Sequence, residues 1–473
     1  MACVLDESTQ EPGVGNELKR RLENRHVQLI SISGAIGTGL FMGAGKVIAL
    51  SGTSIILVYA IIGFFVFCVM RAMGEMLLSD LRFKSFADIV ATYLGAEVGF
   101  VLGWSYWLSW CVAAIADMVM VAGFFQYWYP DAPTWAPAIL TLFTLVGLNM
   151  LAVKVFGEVE FWFGLIKVVA IVLLIVTGFV LIAISYTSPN GVTASMSHLI
   201  ERGSMLPHGI SGFFAGFQIA IFSFAGTELI GTTAAEAKSP ERTLKKAINT
   251  IPVRIVLFYV LSLACIISVV SWGMIPANKS PFVELFLLAG FPAAAGMINF
   301  VVITSAASSA NSGIYSGARM LFGLSKKMNA PVSLGHATKQ GTPANAIMFT
   351  GVTILGGLAL LFVIPEVMTI FTLVSTVSAI IVLFTWSMIT LSYVVYRKKN
   401  PELHEKSEFK FRGGIPLAII TQAFLMFVLG LLALEADTRE ALFAMPFWFM
   451  FLVVAYLWKF KEKSRKAIPN SCA

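Results

Sequence analysis

The feature that most constrains this chain is a series of long apolar runs. Several of them exceed about 18 residues, the length at which an α-helix can cross the ~30 Å hydrocarbon layer of a bilayer. Apolar residues make up 58% of the 473 residues and charged residues only 12%. Because soluble domains average roughly a quarter charged residues, a soluble fold would lack the polar side chains to cover its surface. We therefore expect an all-α integral membrane protein in which the lipid bilayer is the solvent.

The apolar runs predict twelve transmembrane helices. The third and eighth are longer than a bilayer requires, so we expect them to tilt or to project from the membrane. The predicted spans are residues 27–50, 54–78, 97–129, 135–153, 159–185, 210–232, 249–271, 284–318, 343–364, 366–396, 415–434 and 442–460.

These spans predict an organisation in five parts. A polar tail (1–26) precedes a first group of five helices (27–185), a second group of five follows (210–396), and two additional helices (415–460) lead into a second tail (461–473). The first 26 residues are polar, and no small-residue cleavage site follows the first apolar run. We therefore expect this run to stay in the mature protein.

The basic residues predict the orientation. Most of the 33 Lys and Arg residues fall in tails and loops assigned to one side, and the opposite loops contain only Arg202, Lys279 and Arg439. By the positive-inside rule, both termini are cytoplasmic in a cell-membrane protein. This distribution explains the net charge of +7 without a nucleic-acid partner. The charged loop 397–414 is predicted to be a solvated surface.

Two spans contain sequences that disfavour a continuous helix. The first has G-A-I-G-T-G-L-F-M-G-A-G at 34–45, and the sixth has F-F-A-G-F-Q at 213–218 followed by F-S-F-A-G-T-E at 222–228. Glycine in a helix interior costs about 1 kcal/mol relative to alanine. Interrupted helices at corresponding positions of two halves indicate a transporter made of inverted repeats. The alternative is that these glycines only allow close helix packing.

Helix interruptions of this kind suit an amino acid as cargo. Backbone N–H groups at the start of a half-helix attract a carboxylate, and freed carbonyls accept hydrogen bonds from an ammonium group. The predicted carboxylate donors are Ile36, Gly37, Thr38 and Gly39, and the predicted ammonium acceptors are Phe222, Ser223 and Ala225.

Three of the ionisable residues inside predicted spans are candidates for proton coupling, because a charge there is expensive and usually functional. Lys167 in the fifth span has no acidic neighbour four residues away, and removal from water disfavours a charged amine. It is the predicted proton carrier, or else a permanent cation bonded to carbonyls of the interrupted first helix. Glu228 is a proton site, a gate element or a carboxylate held by backbone donors. Asp117 is a second acidic candidate, or faces a vestibule.

The histidines and cysteines give no support to catalysis or metal binding. The five histidines lie in tails and loops, and the five cysteines are scattered singly. We therefore expect no metal, no cofactor and no enzymatic activity. Arg71 and Glu75, four residues apart, are predicted to form a helix pair, which can also belong to an inner gate. Lys46 is predicted to extend towards the outer membrane interface.

Six motifs resemble the bacterial amino acid transporter branch of the amino acid–polyamine–organocation superfamily, over roughly residues 17–460. They are L-E-N-R-H-V-Q-L-I at 22–30, G-A-I-G-T-G-L-F at 34–41, M-R-A-M-G-E-M at 70–76, V-K-V-F-G-E-V-E-F-W-F at 153–163, F-A-G-T-E-L-I-G-T-T-A-A-E at 224–236 and N-S-G-I-Y-S-G-A-R-M-L-F-G-L at 311–324.

The resemblance implies a LeuT-like fold, with two inverted five-helix repeats and two extra helices. It implies that substrate contacts the backbone at Gly37, Thr38, Gly39 and the interruption at 222–226, which includes Gly226. It also implies a gating aromatic ring at Phe222 and a proton-linked lysine at Lys167.

Side-chain size bears on the cargo. The eighth span has the small residues Ala306, Ala307, Ser308, Ser309 and Ala310. They are packing residues, or they line a small neutral pocket that Trp110 and Phe222 cap. A tiny substrate side chain leaves room for either enantiomer. We therefore expect proton-coupled uptake of glycine, alanine and serine, D-forms included, with a broader permease or an exchanger as the alternative.

Overall fold

The computed structural model describes residues 36–151, 153–233, 240–339, 341–364 and 366–466. The predicted N-terminal tail, the motif at 22–30, residues 27–35 of the first span and residues 467–473 of the second tail lie outside the described residues. The described chain is all-α, as predicted, and it contains no β-strand beyond an isolated bridge between Thr187 and Thr193.

Nineteen α-helical segments follow one another in the described residues. They are α1 (Ala44–Ser51), α2 (Ile55–Ser79), α3 (Phe86–Leu94), α4 (Ala96–Phe125), α5 (Trp135–Met150), α6 (Val153–Ala183), α7 (Gly209–Ala220), α8 (Leu229–Thr233), α9 (Pro240–Asn249), α10 (Ile251–Arg254), α11 (Ser262–Val270), α12 (Pro281–Leu288), α13 (Pro292–Lys326), α14 (Ala344–Gly357), α15 (Leu360–Val363), α16 (Val367–Lys399), α17 (Pro401–Lys406), α18 (Gly414–Leu431) and α19 (Ala436–Lys466).

Ten helical segments of the described chain are long and apolar enough to cross a membrane. The first, Gly39–Ser79, contains residues 39–50 of the first predicted span and all of the second, and the sixteen-residue helix α5 covers most of the fourth. The other predicted spans each overlap one long segment. The chain is therefore a multi-pass membrane protein.

One predicted boundary is wrong. The eighth span was expected at 284–318, but the structure has a separate helix, α12, which ends before Gly290. Gly290 has a φ of +85°, a left-handed conformation that ends the helix. Pro292 then begins α13, because proline is compatible with the first position of a helix.

The centre of the protein is formed by α4 and α13, which pack along each other. Helix α16 packs on α4, and α6 packs on α13. Helix α1 lies against α7, so the first and sixth spans are neighbours. The residues that sequence analysis singled out therefore meet in the interior of the bundle.

Both of these neighbouring spans depart from regular α-helix where the glycine pattern indicates it. The chain bends at residues 36–37 and continues as a π-helix over Gly39–Gly43. In the sixth span α7 ends at Ala220, a 3₁₀ turn covers Ile221–Phe224, and Gly226 has a φ of +95°. A positive φ is readily adopted by glycine but not by residues with a side chain.

The two irregular segments touch backbone to backbone. A Cβ atom added at Gly39 would lie 2.7 Å from the Cα atom of Ser223 and 3.1 Å from the carbonyl carbon of Phe222. A real Cβ cannot come so close to main-chain atoms, which have little freedom to move away. Gly39 is therefore required by the close approach of the two spans.

The prediction that loop 397–414 is only a solvated surface is wrong, because this loop binds the end of α2 that contains Glu75. Glu75 is fully buried and accepts hydrogen bonds from the N–H of Phe411 (2.6 Å) and the hydroxyl of Tyr393 (3.3 Å). Nδ1 of His404 lies 2.5 Å from the same carboxylate. The charged composition of the loop concealed these contacts.

The predicted helix pair between Arg71 and Glu75 is seen only as an electrostatic interaction between the two charges. The Arg71 guanidinium donates to the side chain of Asn249 (2.8 Å) and to the carbonyl of Lys410 (2.5 Å), and it stacks 3.8 Å from the centre of the Phe409 ring. The hydrogen bonds of both charged side chains of α2 thus include loop 397–414.

The contact at Gly39 gives a first prediction. Gly39→Ala is expected to lower the free energy of unfolding by about 1–3 kcal/mol, the usual cost of overpacking, because the new methyl group collides with the backbone of Ser223. Thermal unfolding of the purified protein in detergent measures this. Gly43→Ala is the matched control, since its nearest neighbour would lie at an ordinary 3.5 Å. Equal stability of the two variants would contradict the contact.

Candidate functional site

The carbonyl of Ile36, at the bend of the first span, accepts two hydrogen bonds. Nζ of Lys167 donates from α6 at 3.0 Å, and Oγ of Ser305 donates from α13 at 2.9 Å. The side chains of Lys167 and Ser305 are both fully buried. A carbonyl released from helical bonding inside a bilayer needs partners in the protein, and these two side chains supply them.

Asp117 is bonded to the same bend and does not face an open vestibule. The hydroxyl of Thr38 donates to its Oδ1 at 2.6 Å, and Ser309 forms a further hydrogen bond with the carboxylate. A Cβ atom added at Gly37 would lie 2.7 Å from Oγ of Ser309. Asp117 is 1% exposed, so it joins α4, α13 and the bend.

Two tyrosines hold the interruption in the sixth span. The hydroxyl of Tyr259 donates to the carbonyl of Ser223 at 2.9 Å, and the hydroxyl of Tyr59 lies 3.0 Å from Oγ of the same serine. The rings of Tyr259 and Phe224 stack at 4.7 Å. The Phe222 carbonyl accepts from the N–H of Ala225 at 3.1 Å. Two of the three carbonyls predicted to bind the substrate ammonium therefore already carry a hydrogen bond from the protein.

Glu228 has the contacts expected of a carboxylate held by backbone donors. The N–H of Gly226 lies 3.1 and 3.2 Å from its two oxygens, and the indole N–H of Trp386 in α16 donates at 3.3 Å. The residue is 1% exposed. Its carboxylate thus satisfies a donor that the interruption leaves without a helical partner.

Phe222 closes the inner end of a narrow cleft. Its ring meets that of Phe371 edge to face at 6.0 Å. Lys46 lines the cleft between α1, α7 and α16, whereas it was predicted to extend to the membrane interface. The free volume is about 10 Å³, enough for roughly one water molecule. An amino acid cannot pass through this cleft unless one of the two rings moves.

Trp110 packs against Gly313 of α13, one helical turn from Ser309. Its ring edge meets Tyr106 at 6.2 Å, and a Cβ atom added at Gly313 would lie 2.6 Å from its Cε3 atom. The absent side chain of Gly313 thus provides the space for the indole. Trp110 does not line the cleft that contains Phe222.

A fully buried carboxylate, Glu160, lies on α6. Its Oε1 accepts hydrogen bonds from Ser308 and, at 3.0 Å, from Ser312. Its Oε2 accepts from Nδ2 of Asn311 at 2.9 Å. The side-chain oxygen of Asn311 in turn accepts from Asn149 in α5 at 2.7 Å. Three polar side chains of α13 thus bind this acid, and Asn149 orients one of them.

Sequence reasoning assigned no role to several residues that complete the site. They share one signal, which is a polar group within an apolar span. They are Tyr59, Glu160, Tyr259, Ser305 and Trp386.

Comparison with known proteins identifies the family of this chain. The family model described as amino acid permease matches residues 26–468. The chain belongs to the amino acid permease family. It is therefore a transporter of amino acids and not an enzyme.

Named relatives align with the permease over nearly its whole length. The D-serine/D-alanine/glycine transporter of Escherichia coli K12 is 52% identical over 94% of this chain and 95% of its own. The amino-acid permease AapA of Bacillus subtilis is 46% identical over 94% and 96%. The aromatic amino acid transport protein AroP of E. coli O6:H1 is 39% identical over 96% and 98%.

The hydrogen bond from Thr38 to Asp117 gives a prediction for the permease. Thr38→Val keeps the shape of the side chain but leaves the buried carboxylate short of one donor, which costs about 1–3 kcal/mol. We expect a lower unfolding temperature and weaker substrate binding, measured by thermal unfolding and calorimetry. Thr38→Ser retains the hydroxyl and is expected to behave like the unchanged protein. If valine and serine are equivalent, the hydrogen bond contributes nothing.

Proposed function

We propose that the permease imports small neutral amino acids, namely glycine, alanine and serine in L- or D-form, together with a proton. The observation that carries this proposal is the meeting of two interrupted spans at Gly39 and Ser223. The 52% identity to a transporter named for D-serine, D-alanine and glycine supports the choice of cargo.

The substrate carboxylate binds the N–H groups around residues 36–39. The helix begins here, and the first N–H groups of a helix have no helical partner. The substrate ammonium binds carbonyls at 222–226. Since the Ser223 carbonyl accepts from Tyr259 and the Phe222 carbonyl accepts from the N–H of Ala225, Ala225 is the main acceptor in this proposal. A carbonyl has two lone pairs, so Ser223 remains a possible second contact.

The proposed pocket restricts the substrate side chain by size. A Cβ atom added at Gly37 would lie 2.7 Å from Oγ of Ser309, so there is no room for a large group between α13 and the bend. Phe222 lines the neighbouring cleft, and Trp110 packs against Gly313 of α13. A small neutral side chain of either handedness fits these restrictions, because recognition uses only the groups on the α-carbon.

Proton coupling is assigned to Lys167, with Asp117 and Glu228 as assisting acids. Lys167 donates to the Ile36 carbonyl, which lies at the bend where the substrate carboxylate binds. When Lys167 loses its proton, the amine loses its positive charge and one of its three N–H donors. The bend and the bound substrate therefore respond to protonation.

The proposed topology has twelve transmembrane helices, with two inverted repeats of five helices and two further helices. The two interruptions occupy corresponding positions in the first and sixth spans, which is the arrangement expected of inverted repeats. We place both termini in the cytoplasm and the protein in the plasma membrane, because the basic residues concentrate on one side.

A second candidate function is exchange without net proton movement. The hydrogen bond from Lys167 to the Ile36 carbonyl is also the contact that a permanently charged lysine would make. In that case Lys167 would only stabilise the bend. A permease with a broader range of amino acids is compatible with the same contact.

A pH jump across proteoliposomes separates these candidates. Acidifying the outside is expected to drive accumulation of labelled D-alanine by the unchanged protein. Lys167→Ala is expected to abolish this accumulation, because the proton carrier is gone, and to preserve counterflow exchange. Lys245→Ala, which removes a lysine from an exposed ion pair with Glu408, is the control and should retain accumulation. Proton-driven accumulation by Lys167→Ala would refute the assignment.

Competition measures the substrate range. Uptake of labelled D-alanine is expected to fall at least tenfold in excess unlabelled glycine, alanine or serine of either handedness. Excess lysine, glutamate or phenylalanine is expected to leave it nearly unchanged, since the close packing of Gly37 and Ser309 leaves no room for those side chains. Strong competition by phenylalanine would instead support the broader permease.

A further inference from the structure

We propose that Glu160 is a positioning residue that holds α13 against α6 and favours the protonated form of Lys167. The inference rests on the proposed proton coupling, which it deepens by naming the charge that sets the working pH range. Glu160 makes no contact with the proposed substrate groups, so it acts through Lys167 and α13.

The hydrogen bonds around Glu160 require an acceptor. Asn149 donates to the side-chain oxygen of Asn311, so the amide nitrogen of Asn311 points at Glu160. Ser308 and Ser312 donate to the other carboxylate oxygen. An ionised carboxylate only accepts hydrogen bonds, and this ring of donors matches it.

Glu160 and Lys167 lie on the same face of α6. They are seven residues apart, close to two helical turns, which places them about 10 Å apart along the axis. The two side chains are fully buried, and they interact electrostatically with each other. The negative charge therefore stabilises the ammonium form of Lys167.

One face of α13 contacts both charges. Ser305 donates to the same Ile36 carbonyl as Lys167, and Ser308 and Ser312 donate to Glu160. Positions three and four residues apart lie on one side of a helix, so these three serines form a continuous strip. A change in the protonation of Lys167 thus reaches α13, the helix that Glu160 holds in place.

Several other ionisable groups lie near α6. Asp117 acts on Lys167 from α4, and Glu158 is on α6 itself. Cys265 of α11 contacts the carbonyl of Ile175, beyond Lys167. On α13, Tyr315 stacks on Phe156, and the Arg319 guanidinium lies over the Tyr315 ring. Helix α5 contributes no ionisable side chain.

Glu160→Gln tests the proposal, because it keeps the shape of the side chain and one acceptor oxygen while removing the charge, although its amide nitrogen replaces an acceptor with a donor. The readout is the external pH at which uptake of labelled D-alanine into proteoliposomes is half-maximal. We expect this pH to fall by roughly one unit, the effect of a unit charge at about 10 Å in a protein interior. Glu158→Gln, a half-buried acid on the same helix, is the matched control and should leave the pH unchanged.

Two further variants separate charge from structure. Ser312→Ala removes one hydrogen bond but keeps the charge, so we expect lower thermal stability at an unchanged half-maximal pH. Glu160→Asp keeps the carboxylate and is expected to retain the pH of the unchanged protein. It replaces Glu160→Gln as the deciding variant if the glutamine protein does not fold.

An unchanged half-maximal pH in Glu160→Gln, or a shifted one in Glu160→Asp, overturns the role of Glu160. If the unchanged protein shows no proton-driven uptake at all, the proposed function fails, and this inference fails with it. The pH-driven uptake of the unchanged protein therefore distinguishes the two failures.

Discussion

The structure depends on the requirement that every backbone polar group within a bilayer finds a partner in the protein. Interrupting two spans releases such groups near the middle of the membrane. The Ile36 carbonyl receives Lys167 and Ser305, and the Ser223 carbonyl receives Tyr259. The interrupted backbone therefore explains why these polar side chains, which would be costly in lipid, are found in the interior of the bundle.

Helix α13 connects these partners. Its small residues allow the bend of the first span to approach closely, as the contact between Gly37 and Ser309 demonstrates. The same helix supplies Ser305 to the bend and binds Glu160 through three side chains. These contacts therefore connect the bend to α6 through a single helix.

Two closely packed regions of the chain differ in chemistry. Phe222 and Phe371 leave a cleft of about 10 Å³, too narrow for an amino acid. Loop 397–414 binds the buried carboxylate of Glu75 and the guanidinium of Arg71. The first set of contacts is aromatic and the second is polar.

The sequence by itself determined the membrane location, the helical class, most helix boundaries and the two interruptions, because hydropathy and glycine content act within a few neighbouring residues. It also singled out Lys167, Asp117 and Glu228 as buried ionisable groups. Only the tertiary structure decided their partners, such as the Ile36 carbonyl 131 positions from Lys167. It also placed loop 397–414 on α2. Such contacts join residues far apart in the chain, and local composition does not specify which helix faces meet.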